Sequence, residues 1–344
     1  MSRPVKGVLQ GGVTAPLEVI AAPRRVVNPW LGFGIRRFTG LLLSFCLLVV
    51  ITFLIVPLIP GDPATMVAGE AATPAQVADV RAALGLDQPL IVQFWEYVKG
   101  LFSFDLGRSF FYGGTVSDVV LARLPYTVTI ALLSITCVLL VGVPCGLAVA
   151  LVTRGGRNRG LDHTFNALTS FVFAIPNYVL ATLLILVFAI EFRWFPPGGV
   201  ESPLSYVLPT LAIMSGPTAV IARIVRRETA VILEQDYIRT ARGWRLSAWV
   251  VNTRYVLPNI LTTVLTLSGL MLAGLLGGAV VIETVFALPG LGSGVITAII
   301  NRDYPVIRGI VLLLGMLATI IIVAVDFLLA VIDPRKLTGA ESNG

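Results

Sequence analysis

Six runs of mostly apolar residues divide the chain, each near the roughly 20 residues that carry a helix across a bilayer. They cover about Phe38–Ile59, Thr127–Val152, Phe165–Ile190, Tyr206–Ile224, Asn259–Ile282 and Gly309–Ile332. Pro176 interrupts the third, where a kink or an interfacial turn is expected because proline removes a helical hydrogen bond. Residues 60–126 are too many for a structureless connection. Thr73-Pro74-Ala75-Gln76 has the form of a capping box with proline at the first helical position. Val77, Val80 and Leu84 follow at helical spacing, and Gly85 can end that helix. Asp87-Gln88-Pro89 opens a second helix with Leu90, Ile91, Phe94, Trp95 and Val98 on one face. Trp95 and Tyr97 suit a membrane interface. A third short helix is expected from Thr115 to Leu124. This segment reads as a cap over the bundle and, compatibly, as a docking surface for an extracytoplasmic partner.

A polar but ordered pattern fills 228–258, between the fourth and fifth runs. Asp236–Gly243 reads as a short helix with Asp236 as its cap. Arg239 and Arg242 lie three apart on one face, and Tyr237 and Ala241 four apart. An amphipathic stretch, Leu246–Val256, leads into Leu257-Pro258. The pattern alone fits a rigid handle for a soluble motor or a helix lying on anionic lipid.

Composition supports a polytopic membrane protein. Of 344 residues, 56% are hydrophobic and 13% charged, about half the usual globular charge. That excludes most soluble classes and a disordered bulk. The base is nearly all arginine, with Lys6, Lys99 and Lys336 the exceptions. Basic loops stay inside. With the N-terminus inside, inner segments hold 18 basic and 7 acidic residues and outer segments 7 basic and 11 acidic. Both termini are therefore expected in the cytoplasm, with residues 1–35 an N-terminal extension and 337–344 a short tail. The first run starts too late and is too long for a cleaved signal. Arg154, Arg157 and Arg159, around Gly155-Gly156, read as topology-setting charge in a short cytoplasmic turn, with anion binding the lesser alternative, and no nucleic-acid partner is expected.

Enzyme chemistry is missing from the pattern. There is no GxxxxGK[ST], GxSxG or HExxH, and no lysine precedes Ser or Thr. Cys46, Cys137 and Cys145 lie in apolar runs and His163 stands alone, so no metal-ligand spacing or disulfide framework emerges. Polar residues inside the runs need partners or water. Asn177 follows the proline kink, and Thr262, Thr263, Thr266 and Ser268 lie on the fifth run with Gly274, Gly277 and Gly278. Asn177, Thr262, Thr266, Gly277, Gly278 and Glu283 are the candidate pore residues. Glu283 is placed at the outer end of its run, where interfacial solvation is expected. Asp326, deep in the sixth run, is costly there and is expected to pair with an arginine from the cytoplasmic side. Arg302-Asp303 is expected to form a structural salt bridge, with a contact to an extracytoplasmic partner the second reading.

The 228–258 segment resembles the coupling loop of ABC importer permeases. Asp236-Tyr237-Ile238-Arg239-Thr240-Ala241-Arg242 has the form seen in dipeptide, oligopeptide and nickel importer permeases, and Leu257-Pro258 stands at the matching distance. Further pieces of that family follow in order over about residues 36–336. They are Pro60-Gly61-Asp62-Pro63, Leu84-Gly85-Leu86-Asp87-Gln88-Pro89-Leu90, Phe104-Asp105-Leu106-Gly107-Arg108-Ser109 and Arg123-Leu124-Pro125-Tyr126-Thr127. Gly277–Glu283, Phe286-Ala287-Leu288-Pro289-Gly290-Leu291-Gly292, Arg302-Asp303-Tyr304-Pro305 and Asp333-Pro334-Arg335 complete the set. The likeness is to the first of the two permeases such importers carry. Three positions depart: the family glycine falls at Arg245 while this chain has Gly243, Val250–Arg254 lacks the usual histidine, and Ala174 replaces a common serine.

The resemblance implies an all-α polytopic protein with the six-helix type I importer permease fold, in the bacterial cytoplasmic (inner) membrane. It implies half of a pore completed by a second, homologous permease, with peptides delivered by an extracytoplasmic substrate-binding protein. Two ATPase subunits or domains would carry ATP and Mg, and no cofactor is expected on this chain. Their contact would be Asp236, Tyr237, Arg239, Thr240, Ala241, Arg242 and Gly243, backed by Leu257 and Pro258. Nickel chelates and glutathione are alternative substrates. An ion-driven secondary transporter would want paired intramembrane carboxylates and two symmetric halves, and neither is visible.

Overall fold

A computed structural model describes residues 29–58, 62–69 and 71–332. Pro60-Gly61, Asp333-Pro334-Arg335, most of the N-terminal extension and the tail lie outside the described residues. Among the described residues the chain is almost wholly helical, with one isolated β-bridge between Arg108 and Thr115.

Five helices are long and apolar enough to cross a membrane, and a sixth crossing is a bent pair. Helix α1 spans Pro29–Leu58, starting before the boundary expected at residue 36 and carrying Arg36 and Arg37 inside it. Its Leu42, Leu43, Leu47 and Leu58 are exposed, as a helix facing lipid requires. Three short helices follow: α2 (Pro63–Ala68), α3 (Pro74–Ala83) and α4 (Leu90–Phe102). The capping box of α3 is present in full, with Thr73 and Gln76 satisfying each other's backbone N–H. Helix α2 was not foreseen; Asp62 caps it and pairs with Arg81 of α3.

Helix α5 runs unbroken from Val116 to Val152. The separate Thr115–Leu124 helix expected from the sequence is its first three turns. Thr115 caps it by accepting from the Asp118 N–H, and Pro125 is carried inside the helix. The bent pair is α6 (Arg159–Ala174) and α7 (Asn177–Leu184), which meet at about 90° across Ile175-Pro176. A π-helical turn extends α7 to Glu191. At one end Arg226 pairs with Asp162 of α6. At the other, the Gly199 N–H bonds to the Phe286 carbonyl at 2.9 Å. The pair therefore traverses the bundle rather than turning back.

Helix α8 (Val207–Ile232) packs along the length of α5. Close approach there depends on Gly142 and Gly146, whose absent Cβ atoms would meet Ile221 and the Ala222 backbone. Short helices α9 (Asp236–Gly243) and α10 (Ala248–Val251) follow. A π-turn at Asn252–Val256 joins α10 to the long α11 (Leu257–Val285). Then come α12 (Leu291–Ile300) and α13 (Tyr304–Ile332). Helix α12 was not foreseen in the sequence.

Two apolar cores hold these elements. The larger joins α5, α7, α8 and α11, and includes Ile238 and Ala241 of α9. The smaller lies at the opposite end, where Val116 and Val120 meet Leu291, Tyr304 and Ile307. Helix α1 is fastened mainly to α13. At one end Arg37 pairs with Asp326 at 2.8 Å, the partnership expected for that intramembrane acid. At the other, the Arg308 guanidinium sits over the rings of both Phe53 and Tyr97. Phe94 packs on Phe53, and the Tyr97 hydroxyl meets Thr52 Oγ1 at 3.0 Å. Helix α4 is thus tied to α1 as a cap, while Ile91 and Trp95 stay exposed. Burial pushes the Tyr97 hydroxyl pKa up, against opposing effects from the Thr52 hydrogen bond and the Arg308 charge.

Candidate functional site: the coupling helix and its supports

Helix α9 stands at the end of the bundle where α5 and α8 terminate. Its two faces differ sharply. Ile238 and Ala241 are buried in the main core with Leu233, Val251 and Val256. Asp236, Tyr237, Arg239, Thr240 and Gly243 are exposed. Arg242 is half-buried in a cleft with Arg154, Leu246 and Asn252, so it does not share the open face of Arg239. Trp244 and Trp249 extend the exposed surface, at 71% and 77%. The helix is a handle: one side is keyed into the membrane bundle and the other offers charge, hydroxyl and aromatic groups.

Its start corrects the sequence reading. Gln235 occupies the cap position and gives no side-chain bond. Asp236 is the first helical residue and meets Arg239 Nη1 at 3.5 Å. Its negative charge still suits a helix N-terminus. The end of the helix explains the displaced glycine. Arg245 has φ +55°, the left-handed region usually given to glycine. It is the position where the resembling family carries glycine, while Gly243 is ordinary helix. The turn takes the left-handed geometry here, and an arginine bears its cost. Leu257 and Pro258 begin α11 directly after the π-turn at Asn252–Val256. Asn259 Nδ2 bonds the Tyr255 carbonyl at 2.6 Å and reaches Tyr237 Oη at 3.5 Å. The handle is thereby linked to the foot of α11.

The candidate pore residues separate into two groups. Thr266, Gly277 and Gly278 lie on one open stripe of α11 with Leu270, Gly274 and Val281, and Thr262 is half-exposed beside it. Nothing lies within 4 Å of where side chains would start at Gly274, Gly277 and Gly278. The Thr266 hydroxyl bonds the Thr262 carbonyl of its own helix. Asn177 is exposed at the start of α7.

Glu283 differs, because it is fully buried rather than solvated at an interface. Thr127 Oγ1 donates to its Oε1 at 2.6 Å, and the Ser293 N–H donates to Oε2 at 3.0 Å. Thr127 Oγ1 in turn accepts the Leu291 N–H at 2.8 Å. Gly290 caps α12 without any side-chain bond. Glu283 and Thr127 therefore supply from α11 and α5 the acceptors that a helix N-terminus needs. The site explains the local glycines: a Cβ on Gly290 would strike the Glu283 carboxyl group, and one on Gly292 would strike Val280. Arg123, one turn before Thr127, donates to the Gly290 carbonyl at 3.3 Å and to Tyr112 Oη at 2.9 Å.

The Arg302-Asp303 expectation is also corrected. Asp303 is buried and makes no salt bridge among the described residues. It accepts from the Ser109 hydroxyl and from the N–H groups of Phe110 and Phe111, the latter two at 3.2 and 3.1 Å. Arg302 instead reaches Met66 Sδ. Three pairs of sequence motifs thus meet in space. The Arg123–Thr127 piece meets Glu283 and Gly290, Ser109 meets Asp303, and Asp236–Gly243 meets the foot of α11.

Comparison with known proteins agrees with this geometry. Residues 142–338 match the family model described as binding-protein-dependent transport system inner membrane component. Residues 30–131 match its N-terminal companion. A Brucella abortus protein provisionally named a peptide transport system permease is 38% identical over 309 residues, covering 88% of this chain and 97% of that protein. The glutathione transport system permease protein GsiC of Salmonella typhimurium is 37% identical over 305 residues, covering 88% and 98%. Among solved structures, the inward-facing MetNI methionine ABC transporter matches with a TM-score of 0.54 at 21% identity, over 62% of this chain and 96% of that one. That likeness concerns the fold. The chain belongs to the binding-protein-dependent transport system inner membrane components, the multi-pass permeases of bacterial ABC importers.

Proposed function

We propose that this permease forms half of a translocation pathway for peptides, completed by a second, homologous permease. The names of its relatives, a peptide and a glutathione permease, support the substrate class. Within that class glutathione is the second reading, favoured by the 37% identity to GsiC. Two ATPase subunits or domains bind ATP and Mg and seat on α9 and its counterpart in the second permease. A substrate-binding protein docks on the cap side, and both termini lie in the cytoplasm.

The observation that carries the mechanism is the two-faced build of α9. Closure of the ATPases pushes the open face of Asp236, Tyr237, Arg239 and Thr240. Ile238 and Ala241 pass that displacement into the core shared by α5, α8 and α11, because packed interiors move as units rather than deforming smoothly. The open stripe of α11, with Thr262, Thr266, Gly277 and Gly278, faces the second permease across the pathway, and Asn177 lies beside it. Glu283 serves the pathway indirectly, by holding the far end of α11 to α12 and α5.

The test is charge reversal at Arg239 with transport and ATPase retention measured together. Arg239→Glu is expected to leave the permease in the membrane but to lose the ATPase subunits or uncouple hydrolysis from uptake. Normal uptake would reject the role given to α9.

A further inference from the structure

A cavity of about 740 Å³ is unused by the mechanism above. It opens at the coupling end, between the α5–α6 turn and the last turns of α8. Arg154, Arg157, Arg159 and Arg226 line it against two carboxylates, Asp162 and Glu234. Only Arg226 is neutralised, by Asp162 at 2.6 Å. Arg154, Arg157 and Arg159 enter no ion pair among the described residues and are exposed. Helix α6 begins at the rim, and Asn158 gives its first turn no side-chain cap. Topology-setting charge alone needs neither a cavity nor convergence.

We infer that this cavity binds the phosphate headgroup of an anionic phospholipid. Guanidinium groups match phosphate oxygens in geometry and charge, and basic pockets between membrane helices take such headgroups. A free phosphate shares this chemistry, but the surroundings favour a lipid. From the rim, Leu161, Leu168 and Phe171 form an exposed apolar stripe along α6, with Val152 exposed at the foot of α5. An acyl chain has a place to lie there, and an inorganic ion has no use for it. The cavity wall continues through Leu233 and Glu234, directly before α9. A bound phosphate therefore braces the root of the coupling helix against the α5–α6 turn.

The experiment uses the assembled transporter with its partner subunits, exchanged into phosphatidylcholine nanodiscs and titrated with phosphatidylglycerol. Native mass spectrometry of the released complex counts retained lipid, a readout independent of transport and of the substrate. The wild type is expected to retain phosphatidylglycerol over phosphatidylcholine. The Arg154→Gln/Arg157→Gln double variant should lose retention by about thirtyfold, the weight of two arginines beside an anionic headgroup. The Arg154→Lys/Arg157→Lys variant should keep most of it. Should the double glutamine variant fail to assemble, the single Arg157→Gln variant decides: weakened phosphatidylglycerol retention supports the site and undiminished retention overturns it. Equal retention by wild type and an assembled glutamine variant overturns the inference. Displacement by millimolar inorganic phosphate assigns the cavity to a free anion and overturns the lipid. Loss of the ATPase subunits with lipid still bound makes the cavity an ATPase contact and overturns it as well.

Discussion

Glu283 and Arg245 carry more of this structure than their places in the sequence suggest. Glu283 lies at the end of an apolar run, where solvent is the simple expectation, yet it is enclosed by Thr127 and the first turn of α12. Nothing in the local pattern signals this, because the partners lie 156 and 10 residues away. Only the glycines at 290 and 292 hint at a close approach. Thr127→Ala would orphan the Leu291 N–H and remove a donor to Glu283. It is expected to cost about 1–3 kcal/mol, read as a lowered Tm of the purified transporter. Glu283→Gln replaces a two-oxygen acceptor with an amide whose NH2 must face a donor, and a loss of similar size is expected in the same assay. Arg245→Gly should act in the opposite direction. A side chain at φ +55° costs about 1–2 kcal/mol that glycine avoids, less glycine's own chain entropy. A small gain in Tm with ATPase coupling intact is expected.

At the scale of elements, the six apolar runs and the capping box at Thr73 were legible because their signals are local. The bend at Pro176 was legible for the same reason. The merger of 115–124 with α5 was not, since Pro125 looks like a boundary, yet it is accommodated inside a continuous helix. Helix α12 escaped because its ten residues, between Gly290 and Asn301, carry no local side-chain cap. Its caps come from other helices. Helix α9 was readable as a short amphipathic helix, but which side is buried was not. The key pair is Ile238 and Ala241, rather than the arginines. Ile238→Asp places a charge in the core. It is expected to sever hydrolysis from uptake with the ATPases still bound. ATPase retention, hydrolysis rate and uptake measured on one preparation check this.

For the whole molecule, the charge asymmetry of the sequence acquires a physical frame. Arg37–Asp326 pins α1 to α13 at the coupling end, and Arg308 pins them through Phe53 and Tyr97 at the cap end. In the proposed pore, the open α11 stripe is the surface that a second permease would cover. Gly277→Leu is expected to leave the isolated chain folded, since nothing lies within 4 Å of that position. It should impair association with the second permease, measured by co-purification. The central claim is that this chain moves substrate only under force applied at α9 by a separate ATPase. Peptide uptake into proteoliposomes tests it most directly. Vesicles should contain both permeases with or without the ATPase subunits, with the binding protein and ATP present in both cases. Uptake only with the ATPases, and its loss in Ile238→Asp while hydrolysis continues, is the predicted result. Uptake without the ATPases, or an undiminished rate in Ile238→Asp, would contradict it.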